Sequence, residues 1–118
     1  MKPLDHAHRS VAKYGGTVDD YLPVHDFLDM SKAVHADMRH RALLHNSLGP
    51  FIVEQAIGNY ITLEDGTIVS TRQVAEDHIM EDMGRIPNAS EFLSLIPEDE
   101  MFRFAYVPRR RRELNLAD

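Results

Sequence analysis

VHDFLDMSKAVHADMRHRALLHNSLG, residues 24–49, runs without a helix breaker from Pro23 to the Gly49-Pro50 pair. Proline tolerates the first turn of a helix but not its interior. The stretch therefore predicts one long central helix of about seven turns, from its length and the helical repeat. At about 100° per residue, His25, Asp29, Lys32, Arg39 and His40 fall within roughly 100° of one another on such a rod. His45 points to another side, because five residues are not a whole number of turns. It meets His40 only where the helix bends or where a second copy of the chain supplies the missing face.

Working outward, HAHRSVAKYGG (residues 6–16) reads as a short helix stopped by Gly15 and Gly16. Thr17 with Asp20 opens the next element in an acidic first-turn pattern. Beyond the central stretch, FIVEQAIG (51–58) is a short apolar helical run expected to be buried. In NYITLEDGTIVST (59–71) β-branched residues flank Asp65-Gly66, the pair favoured in tight turns, so a hairpin is expected near 59–70. Ser70 with Gln73 caps TRQVAEDHIMEDMG, which Gly84 closes, and Asn88 with Glu91 caps a segment ended by Pro97. FRFAYV (102–107) is expected to add a strand, and PRRRRELNLAD (108–118) to form a basic tail. The predicted fold is mainly α (α+β): a compact helical domain over 1–100 with one small hairpin, then a C-terminal strand and tail over 101–118.

A chain of 118 residues is one domain's worth. It has no cysteine, which excludes a disulfide framework, a thiolate metal site and a cysteine nucleophile, so any metal would need His and carboxylate ligands. The net charge is -6. Residues 98–118 are balanced, with Arg103, Arg109, Arg110, Arg111 and Arg112 against Glu98, Asp99, Glu100, Glu113 and Asp118, so the acidity belongs to residues 1–97. A broad grip on duplex DNA depends on neutralising many phosphates and is not expected. No signal-peptide pattern and no membrane-spanning apolar run is present, so the expected location is cytoplasmic.

The chemistry lies in the mixture of imidazole and guanidinium. Arg offers a planar fork matched to phosphate, and His exchanges a proton near neutral pH. The ordinary reading of such a stripe is a solvated helix face, with Asp29 and Lys32 an intrahelical pair. A second constellation is TRQVAEDHIMED, where His78 and Asp82 are four apart on one face, with Glu81 beside them and Arg72 in the first turn. His6 is the better candidate of the His6, His8 pair; His8 and His35 read as surface. HExxH and the P-loop signature are absent. The His25-Asp26 dipeptide followed by His78 and Asp82 has the order used by HD-type metal phosphohydrolases, and it defines an alternative metal set.

Four blocks in order, HAHRSVAKYGG, DYLPVHDFLDMSK, RHRALLHNSLG and TRQVAEDHIMEDMGRIP, resemble a family of short uncharacterised proteins of bacteria and their phages. The resemblance covers about residues 6–97, and its pattern maps onto His6, His25, Asp29, Lys32, Arg39, His40, Arg41, His45, Asn46, Glu76 and His78. It implies a context more than a chemistry: small phage-borne proteins that handle phosphates often counter host defence by degrading or sequestering cyclic nucleotide signals.

The leading expectation is a phosphodiesterase of the ring-nuclease type, metal-independent, acting on a small cyclic or linear oligonucleotide. His6, His40, His45 and His78 would exchange protons. Lys32, Arg39, Arg41, Asn46 and Arg72 would hold the substrate, with His25, Asp29 and Glu76 in support. Alternatives are a non-catalytic nucleotide sponge, a divalent-metal hydrolase using His25, Asp26, His78 and Asp82, and a module that inhibits a host protein. A homodimer that joins His40 of one copy to His45 of the other is also expected.

Overall fold

The helix ends are set by local chemistry. In the computed structural model, which describes residues 1–105, α1 (Pro3–Tyr14) begins with proline in its first turn and ends at Gly15, where φ is 86°. Asp20 Oδ2 accepts from the Thr17 amide at 2.7 Å and starts α2 (Val18–Asp29). That cap moves the start of α2 five residues ahead of Pro23, which becomes an exposed interior residue.

The expected long helix does not form. After α2 the chain makes a 3-10 turn (Met30–Ala33), an irregular crossing, a second 3-10 turn (Met38–His40) and the one-turn helix α3 (Arg41–Leu44). Residues 32–39 are all exposed. The apolar side chains that a straight rod would align there, Met30, Val34 and Met38, are exposed and meet no neighbour that would hold a helix, and packing is what chiefly stabilises one. Asp37 then accepts from the Arg39 amide at 2.8 Å and starts a new turn. The break brings the rings of His40 and His45 edge to face, with centroids 5.8 Å apart. Their convergence therefore needs only one chain, not the second copy invoked for a straight rod.

The apolar run 51–58 lies in α4 (Gly49–Ile57), which is only partly buried: Val53 is inside, whereas Phe51 and Ile57 are exposed. β1 (Tyr60–Thr62) and β2 (Ile68–Ser70) pair antiparallel with Ile61 opposite Val69, and Gly66 supplies the positive φ of the turn. Ser70 Oγ accepts from the Gln73 amide to open α5 (Thr71–Met83), and Gly84 closes it in the left-handed conformation at φ 78°. Asn88 and Glu91 box the start of α6 (Ala89–Leu93). Where a third strand was expected, Asp99–Phe104 forms 3-10 turns, so the sheet has two strands among the described residues. The expected basic tail lies outside the described residues.

The fold is thus mainly α with a small hairpin. Ala7, Tyr21, Val24, Leu28, Val53, Leu63, Val69, Val74 and Ala75 form the apolar core. No helix among the described residues is long and apolar enough to cross a membrane.

Candidate metal centre

Beside that core lies a second, polar interior. His6, His25, His45 and His78 are each 0% exposed, and His40 is 2% exposed. α1 contributes His6 and Ser10, α2 His25 and Asp29, the bend His40 and His45, and α5 His78, Glu81 and Asp82. On α2 and on α5 a carboxylate follows a histidine by four residues, so each pair shares one helix face.

Four atoms converge at the centre: His45 Nε2, His78 Nε2, Asp29 Oδ1 and Asp82 Oδ2. His78 Nε2 lies 3.1 Å from His45 Nε2 and 3.3 Å from each carboxylate oxygen. His45 Nε2 is 2.9 Å from Asp82 Oδ2 and 3.5 Å from Asp29 Oδ1. Ligand atoms at about 2.1 Å from a common ion stand roughly 3.0–3.5 Å from each other in tetrahedral or octahedral arrangements. The donor set of two imidazoles and two carboxylates also matches the charge of a divalent cation. Among the described residues Asp29 Oδ2 and His45 Nδ1 are buried without a hydrogen-bond partner. The buried His and Asp groups thus lie within metal-binding distance, and their chemistry fits an ion.

The trio His6, His25 and His78 also lies close together. The His6 and His78 rings stack, with centroids 3.7 Å apart and planes 24° apart. Imidazole lone pairs lie in the ring plane, so those of stacked rings run side by side and do not meet at one ion. His6 acts elsewhere: Nδ1 is 2.6 Å from Glu81 Oε1 and Nε2 is 3.1 Å from Asp82 Oδ1.

The electrostatics follow from burial and these contacts. Burial, reinforced by the neighbouring His78 and His6 rings, pushes His25 down to about 3. Burial also pushes His78 down, but hydrogen bonds with Asp29 and Asp82 outweigh it and raise its pKa. For Asp82 burial acts upward, yet hydrogen bonds from His45, His6 and His78 hold the carboxyl well below the usual carboxylate range. Two buried anions are tolerated only beside positive charge. At the rim, Arg41 is half-buried, with Nη2 4.0 Å from Asp82 Oδ1 and Nη1 donating to the Asp82 carbonyl at 3.4 Å. Lys32 Nζ is 3.7 Å from Asp29 Oδ2, and the N-terminal ammonium is 3.3 Å from Asp82 Oδ1.

A cavity of about 480 Å³ opens beside the centre, with largely apolar walls that include Met38, Ala42, Met83 and Phe92. Arg41 lines it as well, so one side chain touches both cavity and centre.

Other expected site residues lie elsewhere. Arg39 is turned to solvent and paired with Asp37 at 2.7 Å, and Arg72 is paired on the surface with Glu54. Asn46 is buried, but it serves the backbone, donating to the Ala42 carbonyl at 2.9 Å and accepting from the Leu48 amide at 2.8 Å. Glu76 is half-buried on α5 and takes no part in the cluster's contacts. Asp26 is exposed, because it follows His25 by one residue and so leaves the helix on another face; Asp29 and His45 stand in the converging set where His25 and Asp26 were expected. Glu81, grouped with His78 and Asp82 from the sequence, contacts His6, and Ser10 and Ser31 contact His25 and His40, a part the sequence reading did not give them. The signal was present for Ser10, four residues after His6 on the buried face of α1.

Fold and centre together define a small helical protein built around a buried histidine and carboxylate cluster. Over residues 1–102 the chain matches the model of a domain of unknown function (DUF6915), and it belongs to that family. No curated protein and no solved structure matches it.

Proposed function

We propose that this protein binds one divalent metal ion at Asp29, His45, His78 and Asp82 and hydrolyses a small phosphate ester beside it. The observation that carries the reading is the spacing of those four donor atoms: the two ring nitrogens lie 2.9–3.5 Å from each other and from both carboxylate oxygens. A bound divalent ion supplies a Lewis acid and a water acidic enough to attack near neutral pH. The chain's own residues do the rest. Arg41, at the border of centre and cavity, holds a phosphate oxygen, and Lys32 adds charge at the opposite carboxylate. His40, its Nδ1 held 2.9 Å from Ser31 Oγ and its pKa lowered by burial, would take the attacking water's proton and return it to the oxygen that leaves as the P–O bond breaks.

What favours this over the metal-independent mechanism is that the histidines face carboxylates and one another inside the protein. The substrate class kept from the sequence is a small cyclic or linear oligonucleotide, for which Arg41 and the cavity offer a phosphate contact and a surface for a base. The test is metal analysis of tag-free protein together with incubation, with and without chelator, with cyclic di-, tri- and tetranucleotides, the products being separated by chromatography. Cleavage lost in chelator and restored by an added ion is the expected result. Cleavage that survives chelator returns the chemistry to the histidines alone; ligand recovered intact after denaturation makes the protein a sponge.

A further inference from the structure

Three contacts behind the centre form an unbroken line from α5 through α2 to α1. His78 Nδ1 is 2.9 Å from His25 Nδ1, His25 Nε2 is 2.8 Å from Ser10 Oγ, and Ser10 Oγ donates to the His6 carbonyl at 3.1 Å. All three side chains are buried.

The carbonyl gives the line its direction. A carbonyl only accepts, and a serine hydroxyl has one proton. With that proton on the His6 carbonyl, Ser10 Oγ accepts from His25, so His25 carries its hydrogen on Nε2. A neutral His25 then has only a lone pair on Nδ1, and His78 must donate to it from Nδ1. A neutral His78 in that tautomer has a bare lone pair on Nε2, aimed at the point where Asp29, His45 and Asp82 converge. The opposite polarity requires the hydroxyl to leave the carbonyl and turn to His25, which would put a hydrogen on His78 Nε2 and block ligation.

We propose that Ser10 and His25 form an outer relay, anchored on the His6 carbonyl, that fixes His78 as an Nε2 ligand. Ser10 is a positioning residue, more than one ring away from the ion. The proposal rests on the metal reading for its purpose, but the hydrogen on His25 Nε2 and the bare His25 Nδ1 exist without metal. Metal-ligating histidines commonly donate their second N–H to an outer acceptor, here His25 Nδ1, and changing such outer groups typically costs ten- to a hundredfold in metal affinity.

The experiment has two readouts on the full chain. Long-range proton–nitrogen correlation spectra of metal-free, ¹⁵N-histidine-labelled protein report which ring nitrogens carry hydrogen. His25 protonated on Nε2 with a bare Nδ1 is expected, and His25 protonated on Nδ1 overturns the relay. Zinc affinity, measured against a competing chromophoric chelator, is expected to fall roughly ten- to a hundredfold in Ser10→Ala and to recover in Ser10→Thr, which keeps the hydroxyl. Ser10→Ala that folds and binds zinc as tightly as the wild type also overturns it. A wild-type protein that binds no zinc while His25 shows the expected tautomer refutes the metal reading and supports the polarity of the line.

Discussion

Replacing Asp82 with asparagine tests the centre where it carries the most. Without an ion, the two buried carboxylates face the His45 and His78 rings, with Arg41 and Lys32 outside. An ion at a hundredfold excess over its dissociation constant stabilises the folded state by about 2.7 kcal/mol. For a chain of this size that raises the melting temperature by roughly 10–15 °C. Asp82→Asn removes a ligand oxygen and half the site's negative charge, so the difference between melts in ion and in chelator should collapse to a few degrees. In chelator the variant should itself be less stable by about 3 kcal/mol, because Asp82 is the partner of His45, His6 and His78. Comparing ion with chelator within each variant cancels that loss. Scanning calorimetry with zinc, manganese or cobalt against chelator makes the measurement. A wild-type melt that is the same in every ion and in chelator, or an Asp82→Asn protein that responds as the wild type does, refutes the reasoning.

Other outcomes follow from single contacts. His25 titrates at about 3 in the folded chain, against about 6.5 unfolded, so between those values the unfolded state binds the extra proton and stability falls as pH drops. On the order of 4 kcal/mol is lost across that window in chelator, readable as a falling urea midpoint from pH 6.5 to 4; a flat midpoint would contradict the assignment. His78, raised on folding, acts in the other window: its contribution is complete below about 6.5 and fades as pH rises through its folded value. Gly49→Ala would place a Cβ 1.8 Å from the Leu44 carbonyl oxygen and force α3 away from α4, so a loss of about 3 kcal/mol, the upper end of the usual cost of overpacking, is expected in denaturant melts. Arg41→Ala should lower kcat/KM by roughly a hundredfold on any phosphate ester the protein cleaves. Arg39→Ala and Arg72→Ala, paired on the surface, should leave turnover unchanged.

The parts of the fold legible in the sequence are those that local chemistry decides. Thr17 with Asp20, Asn88 with Glu91, Ser70 before α5, Gly84 after it and Asp65-Gly66 in the hairpin all act within a few residues, so their patterns carry their own physical cause. The central helix failed for the complementary reason. Residues 24–49 contain no breaker, but a helix also needs a face to bury, and whether residues 32–39 meet a neighbour is decided by α1, α4 and α5.

The same distinction divides the site. His25 and Asp29 were grouped on one face from their spacing of four, and they do share it, because α2 is a true helix up to Asp29. Extending that rod past the break grouped Arg39 with His40; in the folded chain the first faces solvent and the second is buried. His45 was set apart by the same extrapolation, and the bend returns it to the centre. The converging set joins α2, the segment after the bend and α5, with His78 49 residues from Asp29 and 33 from His45. No periodicity spans such separations. What the sequence did carry is composition: histidine and aspartate repeated at helical spacing on two separate segments, which is costly to bury unless the faces meet each other, and meeting is what offsets the cost.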